Sequence, residues 1–596
     1  PSSPPTSFAR EDETSIQVDT GLLRFSVSKT SANLFDTLAI AQNGEWTTLL
    51  ESAAHSGLFL DIDRRKEGSE ESIHFEANAD EKQFRATLEE ASPLQTVIRI
   101  DGIHVSASGE TFAPYTLRLY AHKNSSQLRL VHTFIYDGEP REDFVRAIGL
   151  RLELAPVEVT GYLFGTDRGY GAQTHYTTDP SLPAWRRGVL AQNSAQNFTI
   201  TKVVNPATNS TLGVREGRRS QGWGRMDATS GRVSVGIKNF WQEYPKAIEM
   251  DAVDRSITAY FYSPYGDALD LRRYSDLGYH ALYEAGAGPA GTPATPFNHD
   301  KYNARYISKS SELFLDFAAT EAKSPPTAAT ALIQQRPPLL RASMDWMAST
   351  KVLGTYTPLA SSTHAAAAAY HQTCMNFLMD EQENRNWYSF IDYGDAMHSF
   401  NPGLDSWRYD QGGYAWMNNE GQLTGSYWMA YLASGDERAY RFAEAMTKHV
   451  QDVDMFQAGP LSGRGMRHNV NHWGCVDRER RMTIPFNKRV YYYLSGDEHT
   501  RDRIHFSYEK LRRNPGHAAA MDYSVGATAL LFLWETTGEA QYGKALQTAA
   551  ETFCSNPVGG YGYPASLTLD YTTGQGKVAD GVGMLPDFFL MYFGPM

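Results

Sequence analysis

The segment Met429–Tyr440, MAYLASGDERAY, contains the pattern that decides the fold of the C-terminal half of the chain. An apolar helical run ends in Ser-Gly-Asp, and a second predicted helix follows directly. The pattern recurs in Val490–Thr500, VYYYLSGDEHT, and as Thr-Gly-Glu in Leu531–Tyr542, LFLWETTGEAQY. Glycine suits the left-handed position that follows a helix, and the acid can cap the next helix. These joints predict helical hairpins stacked into an α/α toroid, with a plain helical bundle as the alternative.

Residues 15 to 320 show a different periodicity, in which apolar and polar residues alternate between Gly, Asn, Asp and Pro breaks. The clearest segments are IQVDTGLLRFSVSK, QTVIRIDGIHVSA, YTLRLYAHK, LRLVHTFIY, GLRLELAPVEV, GRVSVGIKNFW and SITAYFYSPYG. So many strands in series predict two antiparallel sheets packed face to face. The predicted fold class is α+β multidomain: a large β-sandwich at residues 1–325, a proline-rich linker at 326–345 and a catalytic α/α toroid at 346–596.

Charge and hydropathy restrict the partners. The formal net charge of −13 disfavours nucleic acid and anionic membrane surfaces. No apolar run approaches the roughly 18 residues that a membrane span needs. Residues 464–513 differ from the rest, because twelve basic and six acidic residues give this stretch a net charge of +6. That excess favours an anionic ligand, and a solvated helix face of mixed charge is the alternative.

Glycosylation sequons bear on where in or outside the cell the protein is found. The sequence contains Asn-X-Ser/Thr sequons at Asn124, Asn197 and Asn209, which are predicted glycosylation sites. The chain begins at Pro1 without a signal peptide, as a processed chain would. We therefore expect a secreted, extracellular protein; the sequence indicates no oligomeric state.

The segment Arg464–Gly474, RGMRHNVNHWG, is the densest group of polar functional side chains. Arginine can hold a carboxylate through paired hydrogen bonds, and histidine exchanges protons near neutral pH. The segment therefore predicts an anion-binding and proton-transfer site. Its candidate residues are Arg464, Arg467, His468, Asn469, Asn471, His472 and Trp473.

A second group spans Trp387–Phe400, Ser406–Asp410 and Trp416–Gly421. Its acids can act as general acids or bases and its tyrosines as proton donors, while its amides can bind substrate. The alternative is that the first acid caps a helix and the amides end a loop. The candidates are Tyr393, Asp395, Tyr409, Asp410, Asn418, Asn419 and Glu420.

A third group is KHVQDVD at residues 448–454, where His449, Asp452 and Asp454 have a spacing that a metal ion could use. The competing interpretation is a helix end with solvated acids. No organic cofactor is expected, since no glycine-rich phosphate loop follows a strand. A divalent cation such as calcium is the exception that these three residues leave open.

Several motifs in order resemble those of the exo-acting rhamnogalacturonan lyase family. They are YGD at residues 393–395, WMNNEG at 416–421, YLASGDERAYRFAEAMTKHVQDVD at 431–454, RHNVNHWG at 467–474, YYYLSGD at 491–497 and NFWQEYPKAIE at 239–249. The resemblance covers residues 15–590 and implies a central β-sandwich with a C-terminal α/α toroid. Longer members carry an extra N-terminal barrel domain, which we do not expect here.

The resemblance implies β-elimination at C4 of a uronic acid in a plant polysaccharide such as the pectic rhamnogalacturonan, or in one containing glucuronic acid. The expected partner is thus an acidic polysaccharide or oligosaccharide. The motif positions suggest Arg467 and Asn469, backed by Arg464, as donors to the uronate carboxylate. For the base they suggest His468 or His472, and for the acid Tyr393 or Tyr409.

Two other functions remain open. Toroid folds host hydrolases as well as lyases, so a glycoside hydrolase that uses paired carboxylates such as Asp395 and Glu420 is the nearest alternative. A non-catalytic carbohydrate-binding protein would instead line a cleft with rings and lack convergent titratable groups.

Overall fold

The computed structural model divides the chain into two compact units. The sandwich unit comprises Pro1–Asp270, Lys309–Pro338 and Tyr388–Ile391, and the helical unit comprises Leu271–Ser308, Leu339–Trp387 and Asp392–Met596. The predicted domain limits, 1–325 and 346–596, remain a sequence-based prediction. The structure describes residues 7–51, 56–77, 84–167, 174–177, 187–205, 210–274, 303–319, 333–407, 416–419, 423–466, 472, 480–483, 485–513, 520–555, 567–569, 572–573 and 575–578.

The described strands of the sandwich unit pair antiparallel, as predicted. The first five form one sheet in sequence order, and β6–β22 form a larger system in which β12 pairs with both β6 and β21 and β19 pairs with β22. The strands are β1 Ala9–Glu11, β2 Ser15–Asp19, β3 Leu23–Ser28, β4 Thr37–Gln42, β5 Glu45–Glu51, β6 Gly57–Lys66, β7 Ser69–Ala77, β8 Arg85–Ala91, β9 Gln95–Ser106, β10 Thr111–His122, β11 Gln127–Ile135, β12 Asp143–Glu153, β13 Val159–Phe164, β14 Thr174–Thr177, β15 Arg187–Ser194, β16 Asn197–Asn205, β17 Ser210–Gly217, β18 Trp223–Ala228, β19 Gly231–Ile237, β20 Lys246–Asp251, β21 Ser256–Tyr262 and β22 Ser308–Ala318.

The period-two pattern of the sequence sets the register of these strands. Leu119 of β10 lies opposite Ile98 of β9 and Leu130 of β11, and all three side chains are buried. Alternate residues of a strand point to opposite faces, so a one-residue shift would expose this whole row. The core of the sandwich unit therefore fixes the pairing.

The segment Asn239–Glu249 contains a buried charge cluster. The Glu243 carboxylate accepts hydrogen bonds from Lys246 Nζ at 2.7 Å and Lys309 Nζ at 3.2 Å, and Lys246 Nζ also donates to the Lys238 carbonyl at 3.0 Å. Burial alone would raise the pKa of Glu243, but the two ammonium groups outweigh it and lower this pKa to about 2. The cluster joins the β19–β20 connection to β22.

The helical unit contains the predicted hairpins. Its helices are α1 Met344–Thr350, α2 Ala365–Asn384, α3 Leu423–Ser434, α4 Glu437–Asp452, α5 Pro485–Ser495, α6 Glu498–Arg513, α7 Ala520–Thr537 and α8 Ala540–Cys554. Short 3₁₀ turns lie at Leu271–Tyr274, Leu359–Ser361 and Arg480–Thr483, and two-stranded pairs are formed by β23 Phe400–Asn401 with β24 Ser406–Trp407 and by β25 Leu567–Leu569 with β26 Gly576–Val578.

The joints have the expected geometry. Gly435, Gly496 and Gly538 have φ values of 71°, 67° and 70° at the ends of α3, α5 and α7. Asp436 then caps α4 by accepting from the Arg438 backbone N–H at 2.8 Å. The sequence also places Leu423, Tyr427, Ala430 and Tyr431 on one apolar face of α3; the last three are buried and Leu423 is partly exposed. Thr424, Trp428 and Leu432 are buried too, so this helix is enclosed on more than one side.

Two further expectations concern the surface. Arg501, Arg512 and Arg513 form ion pairs with acids of their own helix, α6, at 2.5–3.3 Å, which supports the mixed-charge alternative for this part of the basic stretch. Asn124 and Asn197 are exposed near strand ends, and Asn209 lies outside the described residues; glycosylation stays a prediction. Among the helices described, none is long and apolar enough to cross a membrane.

We predict that Glu243→Gln lowers the free energy of unfolding of the sandwich unit by about 3–5 kcal/mol, because it leaves two buried ammonium groups without their carboxylate. Since the folded-state pKa of Glu243 is depressed, its stabilisation is complete above about pH 4.5 and is lost as the pH falls towards 2. Denaturant titration would measure the loss. The control Glu70→Gln, in an exposed pair with Arg65, should change stability by less than about 1 kcal/mol; equal effects would contradict the prediction.

Candidate functional site

Four buried side chains of the helical unit meet at one point. They are Asp395, His449, Asp454 and His472, which we call the buried quartet. One nitrogen or oxygen atom from each lies within 4.8 Å of the others. None of the four side chains is more than 1% exposed.

The quartet is assembled from three stretches of chain. His449 lies in the last turn of α4, and Asp454 follows the end of that helix by two residues. Asp395 belongs to the loop after α2, and His472 lies between α4 and α5. Backbone hydrogen bonds tie two of these stretches to further segments: Met417 N–H donates to the Ala396 carbonyl at 2.9 Å, and Met466 N–H donates to that of Asp454 at 2.9 Å.

Gly394 allows the Asp395 loop to approach α4. Its φ is +103°, and an added Cβ would lie 2.4 Å from the Ala445 carbonyl oxygen and 2.8 Å from His449 Cβ. A side chain at this position would collide with helix backbone, which cannot move aside as a flexible side chain can. The glycine of the YGD motif is therefore needed to bring Asp395 to His449.

Within the quartet, nitrogen and oxygen atoms alternate. His449 Nε2 lies 3.3 Å from Asp454 Oδ1 and 3.7 Å from Asp395 Oδ2. His472 Nδ1 lies 3.4 Å from Asp395 Oδ2 and 3.7 Å from Asp454 Oδ1. The imidazole rings are 4.8 Å apart between centroids. Each imidazole thus faces both carboxylates.

A surrounding layer of groups orients the quartet. His472 Nε2 lies 3.1 Å from Asp392 Oδ1, the ring of His472 stacks on Trp416 at 4.9 Å, and Asn418 Nδ2 donates to the His472 carbonyl at 3.2 Å. Asp395 Oδ1 accepts from the Ala396 backbone N–H at 2.7 Å and from that of Asn418 at 3.2 Å. Asp395 Oδ2 and His472 Nδ1 face the centre, and each also contacts Asn418: Oδ2 accepts from its backbone N–H at 3.2 Å, and Nδ1 lies 3.1 Å from its Oδ1.

Burial and neighbouring charge act in opposite directions on the quartet. Burial alone would lower the pKa of His472, but the carboxylates of Asp392 and Asp395 outweigh it and raise this pKa to about 9. Burial raises the pKa of Asp454 to about 7 against the opposing effects of His472 and Lys488. Burial also raises the pKa of Asp395, and His472 opposes the rise. The site is built to exchange protons or to hold a cation.

Asp452 lies apart from the quartet, although the sequence placed it with His449 and Asp454. Its Oδ1 accepts from Ser308 Oγ at 2.9 Å and lies 2.6 Å from His499 Nε2. The two acids of the His-x-x-Asp-x-Asp motif therefore have different partners. Asp452 is still part of α4 and points to α6, whereas Asp454 lies beyond the end of the helix and turns back to His449.

Of the other predicted site residues, some are described by the structure and the rest are not. Tyr393 and Arg464 are partly exposed, whereas Asn418 and Asn419 are buried; Asn419 Nδ2 donates to the Asp454 carbonyl at 3.4 Å. The remaining candidates lie outside the described residues: Tyr409, Asp410, Glu420, Arg467, His468, Asn469, Asn471 and Trp473.

Sequence reasoning missed Asp392, Trp416 and Lys488. Lys488 is fully buried in α5 and donates through Nζ to the Thr483 carbonyl at 3.3 Å; burial lowers its pKa to about 7 against the attraction of Asp454. A lysine inside an apolar helix face is the signal that could have found it. Asp392 gave a weaker signal, namely its position three residues before the candidate Asp395.

We predict that Gly394→Ala destabilises the helical unit by about 2–5 kcal/mol, through the collision with α4 and the positive φ. Thermal unfolding followed by circular dichroism would measure it. Gly496→Ala is the matched control, because Gly496 has φ +67° and no atom within 4 Å of an added Cβ; strain alone should cost about 1–2 kcal/mol. If both variants lose the same stability, the close approach is not what requires glycine at 394.

Comparisons with known proteins agree with this architecture. Residues 337–580 match the PcRGLX-like protein C-terminal α/α toroid domain, and residues 8–161 and 171–331 match the PcRGLX-like protein central β-sandwich domain. An uncharacterized protein, YetA of Bacillus subtilis, is 28% identical over 90% of this chain and 67% of its own length.

Solved structures show only distant similarity. An α-mannosidase from Enterococcus faecalis matches 54% of this chain and 31% of its own at 13% identity, with a TM-score of 0.29. A TPR-domain containing protein from Parabacteroides distasonis matches 90% of this chain and 80% of its own at 8% identity, with a TM-score of 0.26. The two domain matches together cover most of the sequence, and the chain therefore belongs to the PcRGLX-like family, with its central β-sandwich and C-terminal α/α toroid.

Proposed function

We propose that this protein is a polysaccharide lyase that cleaves a uronic-acid-containing plant polysaccharide, rhamnogalacturonan-like or rich in glucuronic acid, by exo-acting β-elimination. Membership of the PcRGLX-like family supports a carbohydrate-active enzyme. The lyase reaction rests on the resemblance of the motifs to exo-rhamnogalacturonan lyases and on the arrangement of the buried quartet.

The observation that carries the proposal is the convergence of the motif segments. Asp392 and His472 are in contact although 80 residues separate them in sequence. Tyr393 follows Asp392 directly, and the Arg464 carbonyl accepts from the Phe456 N–H at 3.0 Å, two residues beyond Asp454. The segments that carry the candidate proton donor and the candidate carboxylate-binding arginine are thus joined through one rigid cluster, which supports a shared site.

The reaction makes demands that these residue types meet. The C5–H and C4–O bonds of the uronate break, a C4–C5 double bond forms, and the leaving oxygen takes a proton. Because the C5 anion develops beside a carboxylate, fixed donors must neutralise that carboxylate. Arg464, together with Arg467 and Asn469, would supply the donors. A base must then remove the C5 proton and an acid must protonate the leaving oxygen.

Exposure suggests how the proton-transfer roles are divided. Tyr393 is partly exposed, as a residue that contacts substrate must be; its alternative, Tyr409, lies outside the described residues. His472 is fully buried and directed at Asp392 and the quartet, which suits a positioning residue. We therefore assign the role of base to the other candidate, His468.

Hydrolysis is less well supported. Asp395 is fully buried and lies within 4.8 Å of Asp454, measured between carboxylate oxygens. Glycoside hydrolases hold their two carboxyl groups about 5 to 9.5 Å apart across an accessible sugar site. Asp410 and Glu420 would have to supply that pair.

The proposal includes secretion, because a polysaccharide too large to cross a membrane is degraded outside the cell. The exposed side chains of Asn124 and Asn197 are accessible to glycosylation. Intact-mass measurement of protein from the native source, before and after treatment with an amidase that removes N-glycans, would test glycosylation at these sites.

We predict that the enzyme releases unsaturated uronate products, detected by their ultraviolet absorbance, from one member of a panel of rhamnogalacturonan, glucuronic-acid-containing gums and other uronic polymers. The conjugated C4–C5 double bond absorbs, and a hydrolysis product does not. Fragments released without absorbance would contradict elimination and favour hydrolysis by the carboxylates Asp410 and Glu420. No release from the panel would contradict the proposed substrate class.

We predict that Tyr393→Phe lowers kcat about 10²- to 10⁴-fold, because it removes the proposed proton donor and keeps the ring; the melting temperature, measured on the same variant, separates this loss from unfolding. Tyr493→Phe is the control; its hydroxyl donates to Glu535 at 2.7 Å on an exposed helix face, and its loss should leave kcat unchanged. Full activity of Tyr393→Phe would assign the acid to another residue.

A further inference from the structure

We propose that the buried quartet binds one divalent transition-metal ion, for which its two imidazoles and two carboxylates fit zinc best. The site would be structural, with all four positions filled by the protein. The inference does not depend on the lyase reaction, since it rests on distances and burial within the helical unit.

The spacing of the ligand atoms fits a metal. The four nitrogen-to-oxygen distances around the quartet are 3.3, 3.4, 3.7 and 3.7 Å. Four ligands bound tetrahedrally at about 2.0–2.2 Å from zinc lie about 3.3–3.6 Å from one another. Hydrogen-bonded nitrogen and oxygen atoms would instead lie about 2.7–3.2 Å apart. All four distances are longer than an ordinary hydrogen bond, two of them by 0.5 Å, and they are close to the ligand separations around a central ion.

The polar atoms at the centre also need a cation. Both carboxylate oxygens of Asp454 are buried and receive no hydrogen bond from the residues that the structure describes. Burying a carboxylate without a partner costs several kcal/mol. His472 Nδ1, at the same time, faces oxygens of Asp395, Asp454 and Asn418 at 3.1–3.7 Å. A single proton on this nitrogen can satisfy one of these oxygens, whereas a central metal ion satisfies both carboxylates at once.

The donor set selects the kind of metal. Calcium and magnesium take oxygen ligands, and two imidazoles among four ligands exclude a site built for them. A mixed set of nitrogen and oxygen donors suits zinc and also manganese or iron(II). Four protein ligands in a closed, buried space favour four-coordinate zinc in a structural role.

The surrounding layer has the form that metal sites use. A histidine that binds a metal through one nitrogen commonly donates from the other to a carboxylate, which fixes the ring. His472 meets this condition, with Nε2 at 3.1 Å from Asp392 Oδ1 and Nδ1 directed at the quartet. Asp395 is fixed likewise, since Oδ1 accepts from the Ala396 N–H and the Asn418 N–H is shared between both oxygens, while Oδ2 faces the centre.

The ion would tie three stretches of chain together. It would hold the end of α4 to the loop of Asp395 and to the segment of His472, and so place Tyr393 relative to Arg464. The competing arrangement has no metal: protonated His472 and Lys488 balance the carboxylates, and protons occupy the centre. The two arrangements differ in a measurable way, namely metal content.

The test is the metal content of the full-length protein after dialysis against metal-free buffer, measured by inductively coupled plasma mass spectrometry. We expect one zinc ion per chain in the wild type and less than a tenth of that in His449→Gln and Asp454→Asn. His499→Gln is the matched control, because it breaks another buried histidine–aspartate pair of the same unit and should keep the ion. Zinc retained in both quartet variants would overturn the site.

A second measurement on the wild type keeps the proposal falsifiable if the variants do not fold. Removal of metal with a strong chelator should lower the melting temperature by about 5 °C or more, and zinc should restore it. Cobalt(II) in place of zinc should give the visible absorption of a tetrahedral site. No bound zinc and no response to zinc, manganese or cobalt would overturn the proposal in favour of the proton arrangement, as would a response to calcium alone.

Discussion

The helical unit depends on one electrostatic constraint, the removal of two carboxylates and two imidazoles from water into the same small space. Each buried ion costs several kcal/mol unless an opposite charge or hydrogen bonds compensate it. Asp395 and Asp454 lie 3.3–3.7 Å from imidazole nitrogens, and Lys488 brings a further buried positive charge to Asp454. The charges of such a cluster compensate one another only when all its side chains are in place. The cluster therefore selects one conformation of the loops that carry them.

The surrounding fold supplies the positions of those members. The glycine–acid joint between α3 and α4 starts α4, whose last turn presents His449. Gly394 then lets the Asp395 loop contact that turn. Backbone hydrogen bonds from Met417 to Ala396 and from Met466 to Asp454 hold the adjoining segments in place. Since Tyr393 and Arg464 lie on these loops, the buried cluster would position the proposed substrate site.

Much of the fold could be predicted, and less of the site. Alternating strands and glycine-acid joints are local patterns, so the antiparallel sandwich and the helical hairpins followed from periodicity and capping alone. The site depends on long-range packing, which local patterns do not report. His472 looked like a candidate base because it lies in a polar segment, yet the structure buries it on Trp416 and Asp392. The sequence grouped Asp452 with His449 by spacing, and the end of α4 instead directs Asp452 to His499. Lys488 gave only a local signal, a lysine within an apolar helix face, and nothing in the sequence connects it to Asp454.

The central claim is that the quartet encloses one cation that holds the motif segments together. X-ray diffraction from crystals of the full-length protein, recorded on both sides of the zinc absorption edge, tests it most directly. We predict one anomalous peak about 2.0–2.2 Å from His449 Nε2, His472 Nδ1 and one oxygen each of Asp395 and Asp454. Density without an anomalous peak, with the imidazoles hydrogen-bonded directly to the carboxylates, would contradict the claim and leave a proton network in its place.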